Sequence, residues 1–280
     1  MTTIGILHPG AMGISVAATA KNSGHDVVWA SNGRSGATAA RAAGHGLRDV
    51  GTLAAMCAEA EAIVSVCPPH AAEAVADEVL GLGFRGLYLD ANAIAPQRAR
   101  LIAEKVAAAN GRFVDGGIIG GPAWKPGTTW LYLSGEGAET AVSFFTAGPL
   151  ETELLAGDVG QASALKMCFA AYSKGTTALL AGILAAADTL GVWPVLQNQW
   201  QRYGSPLAES APQDVRRVTA KAWRFAGEMA EIAATLAAAG VPGEFHLAAA
   251  EIYGRLASFK DAPAVPELAD VLAAVRAPRE

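Results

Sequence analysis

Cysteine is scarce in this sequence: Cys57, Cys67 and Cys168 are the only three in 280 residues. Their spacing supplies no disulfide framework and no metal-ligand pattern, and the five histidines are scattered without a zinc-like partner. Charge is also thin, at 17% of residues, with a net charge of −5 and no basic run. That leaves nucleic acid no electrostatic footprint to meet. The longest apolar run, Ala178 to Ala187, is broken by Asp188 and is too short to span a bilayer. The first residues pass directly into a strand pattern, so no targeting peptide is expected. A soluble, cytoplasmic chain fits these absences. What is abundant is apolar residue, 52%, much of it alanine. That supports a sizeable core, excludes global disorder and favours closely packed helices. The length suits one large domain or two ordinary ones.

The stretch from Thr3 to Gly13 organises the rest. Ile4, Ile6 and Leu7 read as a short buried strand, a glycine-bearing turn follows, and Ile14 to Asn22 reads as a helix. That order places a dinucleotide pyrophosphate on a helix N-terminus, lined by His8, Pro9, Gly10, Ala11, Met12 and Gly13. Gly10 lets backbone approach the phosphates, and Gly13 lets helix pack on strand. His8 stands where the usual fingerprint has its first glycine, and a histidine at positive φ carries a steric cost. An ordinary strand-to-helix turn is the competing reading. The second strand, Asp26 to Ser31, ends about 20 residues past the glycines, where the ribose-reading residue belongs. No carboxylate stands at that strand end; Ser31, Asn32 and Arg34 do. Arg and Ser attract a 2′-phosphate that a carboxylate would repel, so NADP(H) is expected over NAD(H). The alternative is that Arg34 is a solvated loop charge.

The first half goes on alternating helix and strand: helix 37–43, strand 46–50, helix 53–60, strand 62–67, helix 71–80, strand 86–90, helix 96–109 and strand 112–115. Repeated βα units imply a Rossmann-like α/β fold with a doubly wound parallel sheet, whose ligands bind beyond the strand C-termini. That rule adds Cys67, Pro68, Pro69 and Asn92 to the candidate crevice. Asp115 to Gly121 holds four glycines, which suggests backbone near a ligand or a difficult turn. Late strands are expected at 130–133 and 152–155, around a helix at 138–146. Strand signals then almost vanish. Gly160 to about Leu190 reads as one long helix, ended by Gly191 and Pro194. Further helices are expected near 195–203, 213–239, 244–258 and 267–275. Residues 1–157 thus form a nucleotide-binding domain and 158–280 an all-α domain.

Lys166 lies near the start of the long helix. With Phe169, Ala170, Ser173 and Thr177 it falls on one helical face. On a small, apolar face it is a candidate general acid/base, or equally a snorkelling lysine at a domain junction. Lys174 is a second candidate, expected at the surface.

These segments together resemble the β-hydroxyacid dehydrogenases, the group that includes 6-phosphogluconate dehydrogenase and the imine reductases. The resemblance runs the whole length. It is carried by Gly5 to Gly13, by Asp115 to Gly121 and by Gly160 to Lys166. The His8–Gly13 turn, Ser65 to Pro69 and Ser163 to Cys168 look like a subgroup whose helical half is a domain of unknown function. The resemblance implies an NADP(H)-dependent oxidoreductase moving hydride between the nicotinamide and a carbinol or carbonyl carbon. Lys166 would hold the oxygen and shuttle the proton. It also implies a homodimer formed through the helical domain, with a small-molecule substrate and no nucleic acid or membrane partner. Two departures stand out: Ile119 replaces the family's Ser before Gly120–Gly121, and Ala170 replaces its Asn one turn after the lysine. Ile119, Trp124, Phe169 and Ala170 then suggest a more apolar pocket than an ordinary small 3-hydroxy acid needs, with Gly120, Gly121 and Ser173 as the other expected substrate-binding residues. Trp200, Tyr203, Trp223 and Phe225 are weaker candidates, better read as core or interface aromatics. An imine reductase with an altered proton donor, and a non-catalytic NADP(H)-binding protein, are the alternatives.

Overall fold

The computed structural model describes residues 1–277. They divide into two compact units, Met1–Met167 and Cys168 onward. The sequence places the boundary ten residues earlier, after Gly157. The first turns of the long helix join the first unit because Asp115 and Ser134 bond to its opening amides.

The first unit is built on strands β1 (Thr3–Ile6), β2 (Asp26–Trp29), β3 (Arg48–Asp49), β4 (Ala62–Ser65), β5 (Leu87–Asp90), β6 (Arg112–Gly120), β7 (Thr129–Ser134) and β8 (Glu151–Leu154). Between them lie helices α1 (Ala11–Asn22), α2 (Gly36–Gly44), α3 (Leu53–Glu59), α4 (Ala72–Gly81), α5 (Pro96–Ala108) and α6 (Ala138–Val142). The sheet order is β3-β2-β1-β4-β5-β6-β7-β8, with the order reversing between β1 and β4. β4 and β5 are buried along their whole length. One core packs Ile6, Val64, Leu89 and Val114 with α1 and α6; the other packs Ile63, Tyr88 and Phe113 with α4 and α5. Covering on both faces is what continuous apolar strand runs require.

The sheet departs from an all-parallel reading at one pair. The strand starting at Arg112 does not stop at Asp115 but runs through the glycines to Gly120. It pairs antiparallel with β7, Gly116 opposite Leu133 and Ile119 opposite Trp130. The return through residues 121–128 holds no crossover helix, and only antiparallel strands can be joined that way. The glycines Gly116 and Gly117 are therefore strand residues. A Cβ on Gly117 would stand 2.5 Å from the Ala162 carbonyl, so glycine there lets the next helix lie directly on the strand.

Helix α7 (Gln161–Thr189) leads into the second unit, followed by α8 (Trp193–Arg202), α9 (Leu207–Ala238), α10 (Glu244–Arg255) and α11 (Leu268–Arg276). By length and composition α7 is the one described helix sufficient to cross a bilayer, although its longest uninterrupted apolar run is short. It buries one face, with Ala178, Ala181, Leu184 and Ala185 inside, and leaves Phe169, Tyr172 and Leu179 exposed. Helix α9 begins six residues before the expected start, with Pro212 inside it. Proline has no N–H for the Ala208 carbonyl; Gln197 supplies the missing donor through Nε2 at 3.0 Å.

Candidate active site

The crevice follows from the sheet order. Ligands of such sheets bind beyond the strand C-termini where the order reverses, here between β1 and β4. β1 leads into His8–Gly10 and the start of α1. Gly10 is the N-cap, no side chain caps the helix, and its first turn holds no acidic residue. The first helical amide to find a backbone acceptor is that of Ile14, on Gly10. The amides of Ala11, Met12 and Gly13 are thus left open to an anion. A Cβ on Gly10 would meet nothing within 4 Å, whereas one on Gly13 would stand 2.1 Å from the His8 carbonyl. One glycine keeps the approach open and the other closes helix onto turn, so these residues fit a dinucleotide pyrophosphate. His8 takes its place without positive φ; Asn110 is the one non-glycine with that conformation among the described residues. The steric cost expected for a histidine here is therefore not incurred. Burial, then the Arg34 charge, lowers the His8 pKa to about 4, and its buried Nδ1 has no partner.

The ribose rim holds two groups the sequence did not single out. The turn Ser31–Arg34 closes through Arg34 N–H on the Ser31 carbonyl at 3.0 Å. Arg41 of α2 reaches back, its Nε donating to the Pro9 carbonyl at 3.3 Å. A carboxylate is also present, from the neighbouring strand. Asp49 Oδ1 accepts the Ser31 amide at 3.3 Å and the Gly51 amide at 2.8 Å. Its slight burial raises its pKa, but the bonds from Gly51 and Ser31 outweigh that, and the carboxyl ends below the usual range. Asn32 is exposed, and its amide donates to the Gly51 carbonyl at 2.9 Å.

Past β4 and β5 the side chains form a closed network. Asn92 Oδ1 accepts the Cys67 amide at 2.5 Å, and Nδ2 donates to Ser65 Oγ and Asp90 Oδ2, each at 3.0 Å. Asn92 is 2% exposed. Its polar atoms are spent holding the Cys67–Pro69 turn, so it shapes that lip from beneath. Burial, reinforced by the Asp90 charge, pushes the Cys67 thiol up to about 12. Burial likewise raises Asp90 to about 7; hydrogen bonds from Asn92 oppose it and the Asp115 charge adds to it.

Lys166 lies against the far end of β6. Its Nζ donates to the Ile118 carbonyl at 2.6 Å, and its Cβ lies 3.2 Å from where a Gly117 Cβ would be. The lysine thus stands beside Ile119, Gly120 and Gly121. Gly120 and Gly121 are exposed, and Thr129 Oγ1 holds the Gly121 carbonyl at 2.8 Å. Trp124, 48% exposed, stacks on His45 with ring centroids 5.0 Å apart, a contact with the end of α2 that the sequence does not announce.

Phe169, Ala170 and Ser173 belong to the second unit. Ala170 is buried, Phe169 half exposed, and the Ser173 hydroxyl donates back to the Phe169 carbonyl at 3.0 Å. Lys174 is not the surface residue expected. It is partly buried, ion-paired with Glu228, and lies 4.2 Å from the Phe225 ring centroid. Burial pulls its pKa down, with Glu228 opposing. Phe225 is core, packed edge-on against Tyr253; Tyr203 is exposed, and Trp200 packs edge-on against Trp193.

Comparison with known proteins agrees with this geometry. A family model described as the NAD binding domain of 6-phosphogluconate dehydrogenase matches residues 3–143, and one described as a domain of unknown function (DUF1932) matches 187–256. No curated protein matches the sequence. Among solved structures, the conserved protein MTH1747 of unknown function, described as structurally similar to 3-hydroxyacid dehydrogenases, is 26% identical. The match covers 93% of this chain and 100% of that one, with a TM-score of 0.65. The Mycobacterium tuberculosis 3-hydroxyisobutyrate dehydrogenase, solved with L-serine, is 20% identical over 99% of this chain and 100% of its own, with a TM-score of 0.69. The Aspergillus terreus reductive aminase, solved with NADPH and ethyl levulinate, is 19% identical over 99% and 100%, with a TM-score of 0.54. The last two share the fold. With just over half its length matched, the chain belongs to the family of the NAD binding domain of 6-phosphogluconate dehydrogenase, and it is an NAD(P)-dependent oxidoreductase.

Proposed function

We propose that this oxidoreductase uses NADP(H) and acts on a carbinol or carbonyl carbon of a small molecule, with Lys166 as proton donor and acceptor. The observation that carries the reading is Lys166 itself. A lysine whose Nζ sits on the Ile118 carbonyl, beside the exposed Gly120–Gly121 corner, is held where a substrate oxygen can replace that carbonyl. Bound nicotinamide would supply or accept the hydride. The chain's own part is placement. The open amides of Ala11, Met12 and Gly13 hold the pyrophosphate, Arg34 and Arg41 meet a 2′-phosphate beyond Ser31, and Cys67–Pro69 forms a lip over Asn92. Asp49 keeps its charge, because the Gly51 and Ser31 bonds favour the ionised form, so the phosphate reading requires Arg34 and Arg41 together to outweigh it. Ile119, Trp124, Phe169, Ala170 and Ser173 are the proposed substrate contacts.

A cytoplasmic homodimer formed through the helical unit is part of the same reading. Helix α8 has no buried residue, and Leu190, Val195 and Tyr203 are largely exposed. Exposed apolar residues on the helical unit are what supports this part of the reading.

A fluorescence titration with NADPH and NADH, followed by a reductive panel of ketones, oxo acids and cyclic imines, tests the proposal. Tight NADPH binding, weak NADH binding and carbonyl turnover that Lys166→Ala abolishes are the expected results. Turnover confined to cyclic imines would move the assignment to an imine reductase. NADPH binding with no turnover would leave a binding protein.

A further inference from the structure

Asp115 is 1% exposed, and its carboxylate meets four donors. Oδ2 accepts the Gly160 amide at 2.9 Å, the Ser163 amide at 3.0 Å and Ser134 Oγ at 3.1 Å; Oδ1 accepts Ser163 Oγ at 2.6 Å. Ser134 Oγ in turn accepts the Ala162 amide at 3.1 Å, and the Asp158 carbonyl accepts that of Gln161 at 3.3 Å. The opening amides of a helix are usually left to a neighbouring cap or to water. Here all four, from Gly160 to Ser163, are held by the protein. Gly160 takes φ +105°, a conformation only glycine adopts without strain, and this aims its amide at Asp115. The capping charge comes from a strand 45 residues back in sequence, so it fixes α7 to the sheet as well as ending its dipole. Lys166 stands one turn further on.

We propose that Asp115 is a positioning residue: by tying the first turn of α7 to β6 it sets where Lys166 meets the substrate oxygen. This rests on the reading of Lys166 as the proton donor. Asp115 touches neither substrate nor cofactor, and acts through the helix. Asp115→Asn keeps the size but removes the charge and one of the two acceptor oxygens.

Carbon-13 methylation of the lysines, with Lys166 assigned through Lys166→Arg, gives an NMR titration of that one amine. In Asp115→Asn its midpoint is expected to move by about one pH unit. The kcat on the best carbonyl substrate is expected to fall about 100-fold at nearly constant KM, as for a misplaced catalytic group. NADPH affinity should stay within about twofold, since α1 is untouched. Ser163→Ala, which removes the 2.6 Å bond alone, should change both in the same direction but less. It decides by the same readouts if Asp115→Asn does not fold. A folded variant with faster exchange at Gly160 and Ser163, but an unmoved Lys166 titration and unmoved kcat, overturns the proposal. If Lys166→Ala retains turnover, the proton-donor reading fails, and the Lys166 titration still judges Asp115.

Discussion

Helices α1 and α7 begin against the same sheet and treat their first amides in opposite ways. α1 leaves them open: a glycine N-cap, no capping side chain and no acid in the first turn. α7 closes them with a buried carboxylate and a serine brought from β6 and β7. The dipole physics is the same at both ends. What differs is who supplies the anion. At α1 no capping side chain supplies it, which leaves the place open to a ligand; at α7 the protein carries its own, and the helix is thereby fastened. Comparing them separates a binding site from an anchor without reference to any bound molecule.

The largest effect expected from disturbing this contrast is at Gly13. A methyl there would sit 2.1 Å from the His8 carbonyl and 3.1 Å from its carbon, both backbone atoms that cannot swing away. Gly13→Ala should cost about 3 kcal/mol in urea unfolding and abolish NADPH binding, because α1 must move off the turn. An unchanged unfolding midpoint would show that the close approach is not needed. Next comes a substitution that makes α1 resemble α7. Gly10 has φ −72° and ψ −168°, an extended N-cap geometry with open space around it. Gly10→Asp should therefore stabilise the free protein by about 0.5 kcal/mol while weakening NADPH about 100-fold, since the new carboxylate takes the amides. Stability and affinity moving together would break the comparison.

Much of this was legible in the sequence. Apolar runs such as Ala62–Ser65 gave the buried parallel strands, and the proline-free stretch before Gly191 gave α7. The turn His8–Gly13 and Lys166 were visible for the same local reason. Asp115 to Gly120 was visible as a motif but not as strand, because glycine has no β-propensity and the pairing with Thr129–Ser134 is set across the sheet. The start of α9 was hidden by Pro212, whose penalty Gln197 offsets from another helix. Arg41, Asp49 and Ser134 reach their places only through tertiary contacts. Lys174 read as exposed because nothing local announces Glu228, 54 residues on.

A smaller effect is expected at the rim. Arg34 is close enough to act electrostatically on both His8 and Cys67. Arg34→Ala should weaken NADPH about tenfold and NADH hardly at all, Arg41 retaining part of the phosphate contact. Equal loss for both cofactors would return Arg34 to the solvent and leave the 2′-phosphate to Arg41.

The smallest effect is a slope. His8 belongs to the open turn and Asp90 to the buried network near Asp115, and they answer pH oppositely. His8 titrates near 4 when folded and near its ordinary 6.5 when unfolded. As pH falls through that window the unfolded chain gains a proton the folded one refuses, so His8 costs stability on the way down. Asp90 titrates near 7 when folded against an ordinary 3.8. As pH rises the unfolded chain releases a proton the folded one keeps, so Asp90 costs stability on the way up. Where the windows overlap, the two slopes oppose each other. Asp90→Asn should leave stability rising with pH by at most about 1.4 kcal/mol per unit, and less because His8 is only partly buried. His8→Asn should leave it falling. Urea unfolding between pH 4 and 6.5 reads both signs, and two variants with the slope of the parent would mean that neither burial shifts its group as described.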